Sequence, residues 1–295
     1  MSPDPSVGIG LTVGSALCWA GLDASRKVLV QRVSPVALLV LLTLGQMPLF
    51  LLWAWFGDDT ITSWSYALPG MASLFLNVVA NLCFFRAVTV SPLSLTVPLL
   101  AFVPVFTTLA ANPLLGEMPG LRQVVGIGVV VLGALVLNAG AAQDRRPSAF
   151  ARALIREPGS LPMLVTALCW SLTIVVDKLA TQHAGFGIHG AVLNAGLAIV
   201  GLVLLASRDQ LRDLGAVRTA WKPLVFAISL GAVGLGSQLV AVQHLFTALV
   251  EAGKRAIGVT MSVVVGRLAF NEPVTRFKVA AVVLMSVGAG LIVWK

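Results

Sequence analysis

Charge is the scarcest commodity in this sequence: Asp, Glu, Lys and Arg together make up 11% of its 295 residues. Soluble domains carry about 25%, so a water-covered globule is excluded and most of the length must sit in lipid. Cysteine is nearly absent. Cys18, Cys83 and Cys169 all lie in apolar runs, and an odd count without a C-x-x-C spacing excludes a disulfide framework or a structural metal centre. They read as small packing residues. Histidine is limited to His183, His189 and His244. With no H-E-x-x-H, paired aspartates or Ser–His arrangement, a membrane-embedded enzyme lacks its constellation, so no enzymatic activity and no cofactor are expected. No P-loop is present, which argues against direct use of ATP. Residues 1–6 contain no Lys or Arg, so a cleaved signal peptide is not expected and the first apolar run should stay as a span.

What is abundant is apolar length. A hydrocarbon core of about 30 Å needs about 20 apolar residues in a helix, whose backbone satisfies its own polar groups. Ten such runs are read at 7–30, 36–56, 66–88, 92–115, 123–140, 160–181, 186–206, 223–245, 247–270 and 277–294. Asp58-Asp59, Ser91-Pro92 and Glu272-Pro273 punctuate the joints. The net charge of +8 comes from cations in the short gaps between runs. That placement suits anionic headgroups and orientation signals, and it forms no stripe for nucleic acid.

The two halves repeat one another. Ala16-Leu17-Cys18-Trp19 recurs as Ala167-Leu168-Cys169-Trp170, and the same ungapped register sets Lys27 on Lys178 and Gln31 on Gln182. Further on, Glu117 falls on Glu272 and Gly133-Ala134 on Gly288-Ala289. The expected organisation is a five-helix unit at 1–142, a linker at 143–159 and a second unit at 160–295. Five is odd, so the second unit enters from the opposite side. The fold expected is an all-α integral membrane protein of ten transmembrane helices in two inverted five-helix repeats.

On these residues the sequence resembles the EamA family of the drug/metabolite transporter superfamily. The likeness is carried by the A-L-C-W start of each half, by Ser91-Pro92-Leu93-Ser94-Leu95-Thr96, and by Leu115-Gly116-Glu117. Phe270-Asn271-Glu272-Pro273 and Lys254-Arg255 add to it. The resemblance implies a secondary transporter, often an exporter of amino acids or other small metabolites. Partners are then a small-molecule substrate, the bilayer of a bacterial-type inner membrane and, as candidate coupling ion, protons. The oligomeric state is open between monomer and homodimer.

Ionisable residues inside spans are costly and usually functional. Glu251, Lys254 and Arg255 on the ninth run lead, because spacings of three and four set Glu251 beside both cations. The alternative is a self-neutralised group near a helix end. In the functional reading a cation meets a substrate carboxylate or phosphate, and Glu251 carries a coupling proton. Pro98 and Pro104 interrupt the fourth run, with Gly253 opposite Pro98 and Gly258 near the counterpart of Pro104. Such paired breakers point to opened backbone at a central site, or to simple kinks. Asn77, Asn81 and Gln238 line a polar path or act as interhelical hydrogen bonds. Lys27 and Lys178 end the first and sixth runs and either snorkel or form gates with Glu117 and Glu272. The bland role of those carboxylates is to face a helix start.

Most cations fall on one side: Arg26, Lys27, Arg32, Arg86, the linker arginines, Arg208 through Lys222, Arg267, Arg276 and Lys278. Arg122, Lys178 and Lys295 face the other. The bias sets both termini outside, whereas the resemblance implies termini inside. The function expected is export of small metabolites, amino acids first, with phosphorylated or phosphonate metabolites as the alternative.

Overall fold

The computed structural model describes residues 4–91, 97–139, 157–270 and 274–293. Among them the chain forms ten α-helices and no strand beyond an isolated bridge between Ile61 and Ala184. The helices are α1 Pro5–Leu29, α2 Pro35–Phe56, α3 Ala67–Val90, α4 Val103–Leu115, α5 Leu121–Ala139, α6 Ser160–Ala180, α7 Phe186–Ser207, α8 Val217–His244, α9 Thr247–Phe270 and α10 Arg276–Val293. By length and composition α1, α2, α3, α6, α7 and α8 can each cross a membrane. Many large apolar side chains point outward, among them Leu68, Phe75, Leu121, Ile199 and Val203. An exposed apolar surface of that extent is untenable in water but is the ordinary coat of a helix in lipid.

Local sequence sets the boundaries. Asp4 caps α1 by accepting the Ser6 amide at 2.9 Å, with Pro5 at the first helical position. Two boundaries differ from expectation. The fourth run is not one kinked helix: a 3-10 turn over Val97–Phe102 precedes α4, so Pro104 starts the α-helix instead of bending it. The connection read as 207–222 is partly helical, with a 3-10 turn over Leu211–Ala216 and α8 already running from Val217 through a kink at Ala220.

The six most extensive helix pairings are α5–α10, α1–α8, α2–α7, α3–α6, α1–α9 and α4–α6. Replacing each helix by the one five places away returns the same set. Direction follows from contacts at the helix ends. The Asp4 amide at the start of α1 donates to His244 Nδ1 at the end of α8, 3.0 Å away. The Gly187 amide near the start of α7 donates to Asp59 beyond the end of α2, at 2.7 Å. At the opposite end the Gly159 amide before α6 donates to Ser91 Oγ after α3, at 2.8 Å. Odd-numbered helices therefore start, and even-numbered ones finish, at what is called here the near end. Trp55, Phe56 and Trp64 lie exposed at that end, where an aromatic belt belongs.

Close crossings use glycine. A Cβ on Gly288 would stand 2.7 Å from the Gly126 carbonyl oxygen, and one on Gly126 would stand 2.8 Å from that of Gly288. Gly231, Gly234 and Gly236 also meet neighbours from other helices, whereas Gly10 and Gly14 face open space.

Candidate functional site

Three helices bring the leading cluster together. On α9, Lys254 Nζ lies 2.6 Å from Glu251 Oε1 one turn away, and it donates to Gln238 Oε1 of α8 at 2.5 Å. The same ammonium stands 5.8 Å from the ring centroid of Trp19 on α1, within cation–π range. Glu251 is 6% exposed. Small residues permit this convergence: Ser15 Oγ donates to the Gly234 carbonyl at 2.8 Å, and a Cβ on Gly253 would touch Thr12 at 3.0 Å. Trp19 Nε1 is buried and makes no hydrogen bond, so a donor stands unused beside an ion pair. The expectation that Glu251 serves both cations is corrected. Lys254 takes the carboxylate, and half-buried Arg255 forms no ion pair with it.

A second ion pair lies at the near end. Lys178 Nζ at the end of α6 meets Glu117 Oε1 at 2.7 Å and donates to the Leu245 carbonyl at 3.1 Å. Glu117 Oε2 accepts the Thr247 amide at 2.7 Å and its hydroxyl at 2.8 Å. Glu117 thus does face a helix start, but that of α9 rather than of the helix following it. Gly116 makes this possible. Its φ of +67° ends α4 in the left-handed conformation, with its amide on the Asn112 carbonyl and that of Glu117 on Ala111. The counterpart pairing of Lys27 with Glu272 lies outside the described residues, as does the side chain of Pro98.

Other expected site residues are placed differently. Asn77 Nδ2 donates to the Ser73 carbonyl at 3.2 Å and Asn81 Nδ2 to that of Asn77 at 2.8 Å, so both amides bond within α3 and not between helices. The backbone opens ahead of Pro104 in the first half, but α9 stays helical through Gly253 and Gly258. Paired breaks are therefore not what the two halves share. A cavity of about 500 Å³ lies between α1, α2 and α8, lined by Leu11, Phe50, Trp53, Val233 and Ser237. Trp53 packs there against Phe50 and Phe186.

One constellation escaped the sequence reading. Asp177 on α6 is 2% exposed and His189 on α7 is 0% exposed. Asp177 Oδ1 lies 3.0 Å from His189 Nε2 and accepts the Ser73 hydroxyl of α3. His189 Nδ1 faces the Tyr66 hydroxyl at 3.2 Å. Asp177 and its neighbour Lys178 point about 100° apart on α6 and so meet different partners. The rule that flags buried charge would have found Asp177. Among the described residues no group of His, Cys, Asp and Glu is suited to hold a metal. Outside the spans, hydrogen bonds from the Ser6 side chain and amide hold the Asp4 carboxyl below the ordinary carboxylate range.

Residues 6–139, which span α1 to α5, match the model of the EamA-like transporter family. No curated protein matches the chain. Twenty-eight solved chains do. One of them, solved as "Crystal structure of protein", superposes with a TM-score of 0.79 at 14% identity, covering 97% of this chain and 96% of that one. At that identity the likeness speaks for the fold.

Proposed function

We propose that this chain, whose first five helices form an EamA-like segment, is a secondary transporter that exports small metabolites, amino acids foremost, across a bacterial-type inner membrane. Members of that family carry small solutes across membranes, and the all-helical, lipid-coated fold suits the task. The finer reading takes residues 1–142 and 160–295 as inverted repeats joined by 143–159. Its support is the closure of the pairing set under exchange of helices five apart. Two such units rocking about a shared site would open it to each side in turn.

The observation carrying the substrate class is the ion pair of Glu251 and Lys254 beside the unsatisfied Trp19 N–H. A buried pair of opposite charges tolerates exchange best when the cargo brings one charge of each sign, since neither partner is then left desolvated alone. An amino acid does this. Its carboxylate takes Lys254 and the indole N–H, and its ammonium takes Glu251. Arg255, outside the pair, supports a second reading. With it the cluster carries one more cation than anion, which suits a phosphorylated or phosphonate metabolite.

Counterflow in proteoliposomes separates the two. Labelled amino acids are expected to exchange, and Glu251→Gln is expected to abolish the exchange with folded protein retained. Exchange confined to phosphorylated compounds would favour the second reading, and no exchange with either class would overturn both.

A further inference from the structure

Asp177, His189, Ser73 and Tyr66 form a fully enclosed polar cluster that the proposed substrate site does not use. Resting on the transporter reading, we propose that this cluster is the proton-binding site that couples closure of the near end to transport. The bonding is compatible with two protonation states in one geometry. With a neutral imidazole, Nε2–H donates to Asp177 and Tyr66 O–H donates to Nδ1. A proton arriving from solvent forms an N–H bond at Nδ1, and the Tyr66 hydroxyl turns to accept it. The carboxylate then has a full counter-ion, and no heavy atom need move.

The surroundings offer no other counter-ion among the described residues. On α6, Lys178 is turned to Glu117 and Leu245. From the end of α2, Asp59 is occupied by the Gly187 amide. On α8, Gln243 bonds Thr181 and His244 accepts from Asp4. Half-buried His183 sits in the turn after α6 and presents its carbonyl to Thr62. Arg86 is at the far end of α3. An unprotonated cluster thus leaves a lone buried carboxylate, a costly state, at the point where α3, α6 and α7 are tied together.

Location supplies both access and consequence. A cavity of about 230 Å³ at the near end is lined by Thr181, Phe186, Gln243 and His244. Thr181 lies one turn beyond Asp177 and Phe186 one turn before His189, so solvent protons have a short approach. The last turn of α6 is clamped on two faces, by Lys178 to α4 and by Asp177 to α3 and α7. Proton loss weakens the second clamp and favours opening of the near end. The cluster is also not a packing necessity of the architecture. Continuing the register that sets Lys27 on Lys178 puts Leu38 at the place of His189, and Leu38 lies in an apolar knot with Leu22, Leu29 and Ala227.

The test uses the full chain in proteoliposomes. Without substrate, a pH-jump infrared difference spectrum is expected to show carboxylate and imidazole bands in the parent that vanish in both Asp177→Asn and His189→Gln. With a radiolabelled neutral amino acid, both variants are expected to keep counterflow at symmetric pH. Both should lose about tenfold of the accumulation driven by a pH gradient, a size typical of coupling between two sites. Tyr66→Phe, which removes only the outer hydrogen bond, guards against misfolding and is expected to weaken gradient-driven accumulation alone. Bands unchanged in Asp177→Asn and His189→Gln, or parent-like accumulation in His189→Gln and Tyr66→Phe, overturn the proton site. Bands that behave as expected in a parent without counterflow would sink the transporter reading and leave the proton site standing.

Discussion

Consecutive residues of a helix point about 100° apart, and at the end of α6 that rotation separates two chemistries. Asp177 turns to His189 and Ser73, while Lys178 turns to Glu117. In the sequence the two look like a neutralised pair, because adjacency is visible and helix rotation relative to distant neighbours is not. Glu251 and Lys254 were legible for the converse reason: both lie on one helix at a spacing that fixes their meeting. Gln238 was legible only as a polar residue, and Trp19 only as an aromatic, since what joins them to Lys254 is the crossing of three helices. This cluster yields a stability prediction. Removing one partner of a buried ion pair costs about 3–5 kcal/mol, because the other charge is stranded, whereas replacing both is often neutral. Lys254→Met is therefore expected to lower the thermal unfolding temperature in detergent clearly, and adding Glu251→Gln to restore much of it while transport stays lost. A double variant less stable than Lys254→Met alone would show that the pair is not electrostatically coupled.

Elements were easier to read than sites. Apolar length and terminal punctuation placed eight of the ten helices to within a few residues, α8 starting earlier than read and α4 later. The fourth run shows why length alone fails. Its apolar residues continue through a 3-10 turn that hydropathy cannot distinguish from α-helix, and Pro104 marks where the α-helix begins. Glycine patterns were half legible. A glycine is equally cheap to find in sequence whether it faces another helix or open space, so Gly10 and Gly14 resembled Gly231 and Gly234. The α5–α10 crossing offers a sharp contrast within one helix. Gly288→Ala would place its methyl carbon 2.7 Å from the Gly126 carbonyl oxygen, a backbone atom that cannot swing aside, whereas Gly290→Ala meets nothing within 4 Å. The first is expected to lower thermal stability by about 1–3 kcal/mol, the usual cost of overpacking, and the second to leave it unchanged or raise it slightly. Equal melting curves for the two variants would mean that α5 and α10 are further apart than described.

At the scale of the molecule, the helix directions give the charge bias a physical side. Arg26, Arg32, Arg86, Arg208, Arg212, Arg218, Lys222 and Arg276 all belong to the end opposite the near end, while Asp4, Asp58, Asp59 and Glu117 belong to the near end. Cations close to span ends are retained on the cytoplasmic side during insertion, so the near end is expected to face outward, with the start of α1 and the end of α10. The family likeness points the other way, and the two sources use different information: one the charges of this chain, the other the habit of its relatives. The charges act physically on this chain as it inserts, and on that ground they take precedence. The assignment fits the proton proposal, because an outward near end lets the Asp177–His189 cluster meet the more acidic compartment. Single cysteines settle it in a background where Cys18, Cys83 and Cys169 are replaced by Ala. A cysteine at Trp64, 93% exposed at the near end, is expected to react with a membrane-impermeant thiol reagent in intact cells, and one at Asp209 only after permeabilisation. The reverse pattern would place the near end in the cytoplasm, and the Glu117–Lys178 ion pair would then lie on the inner rather than the outer side.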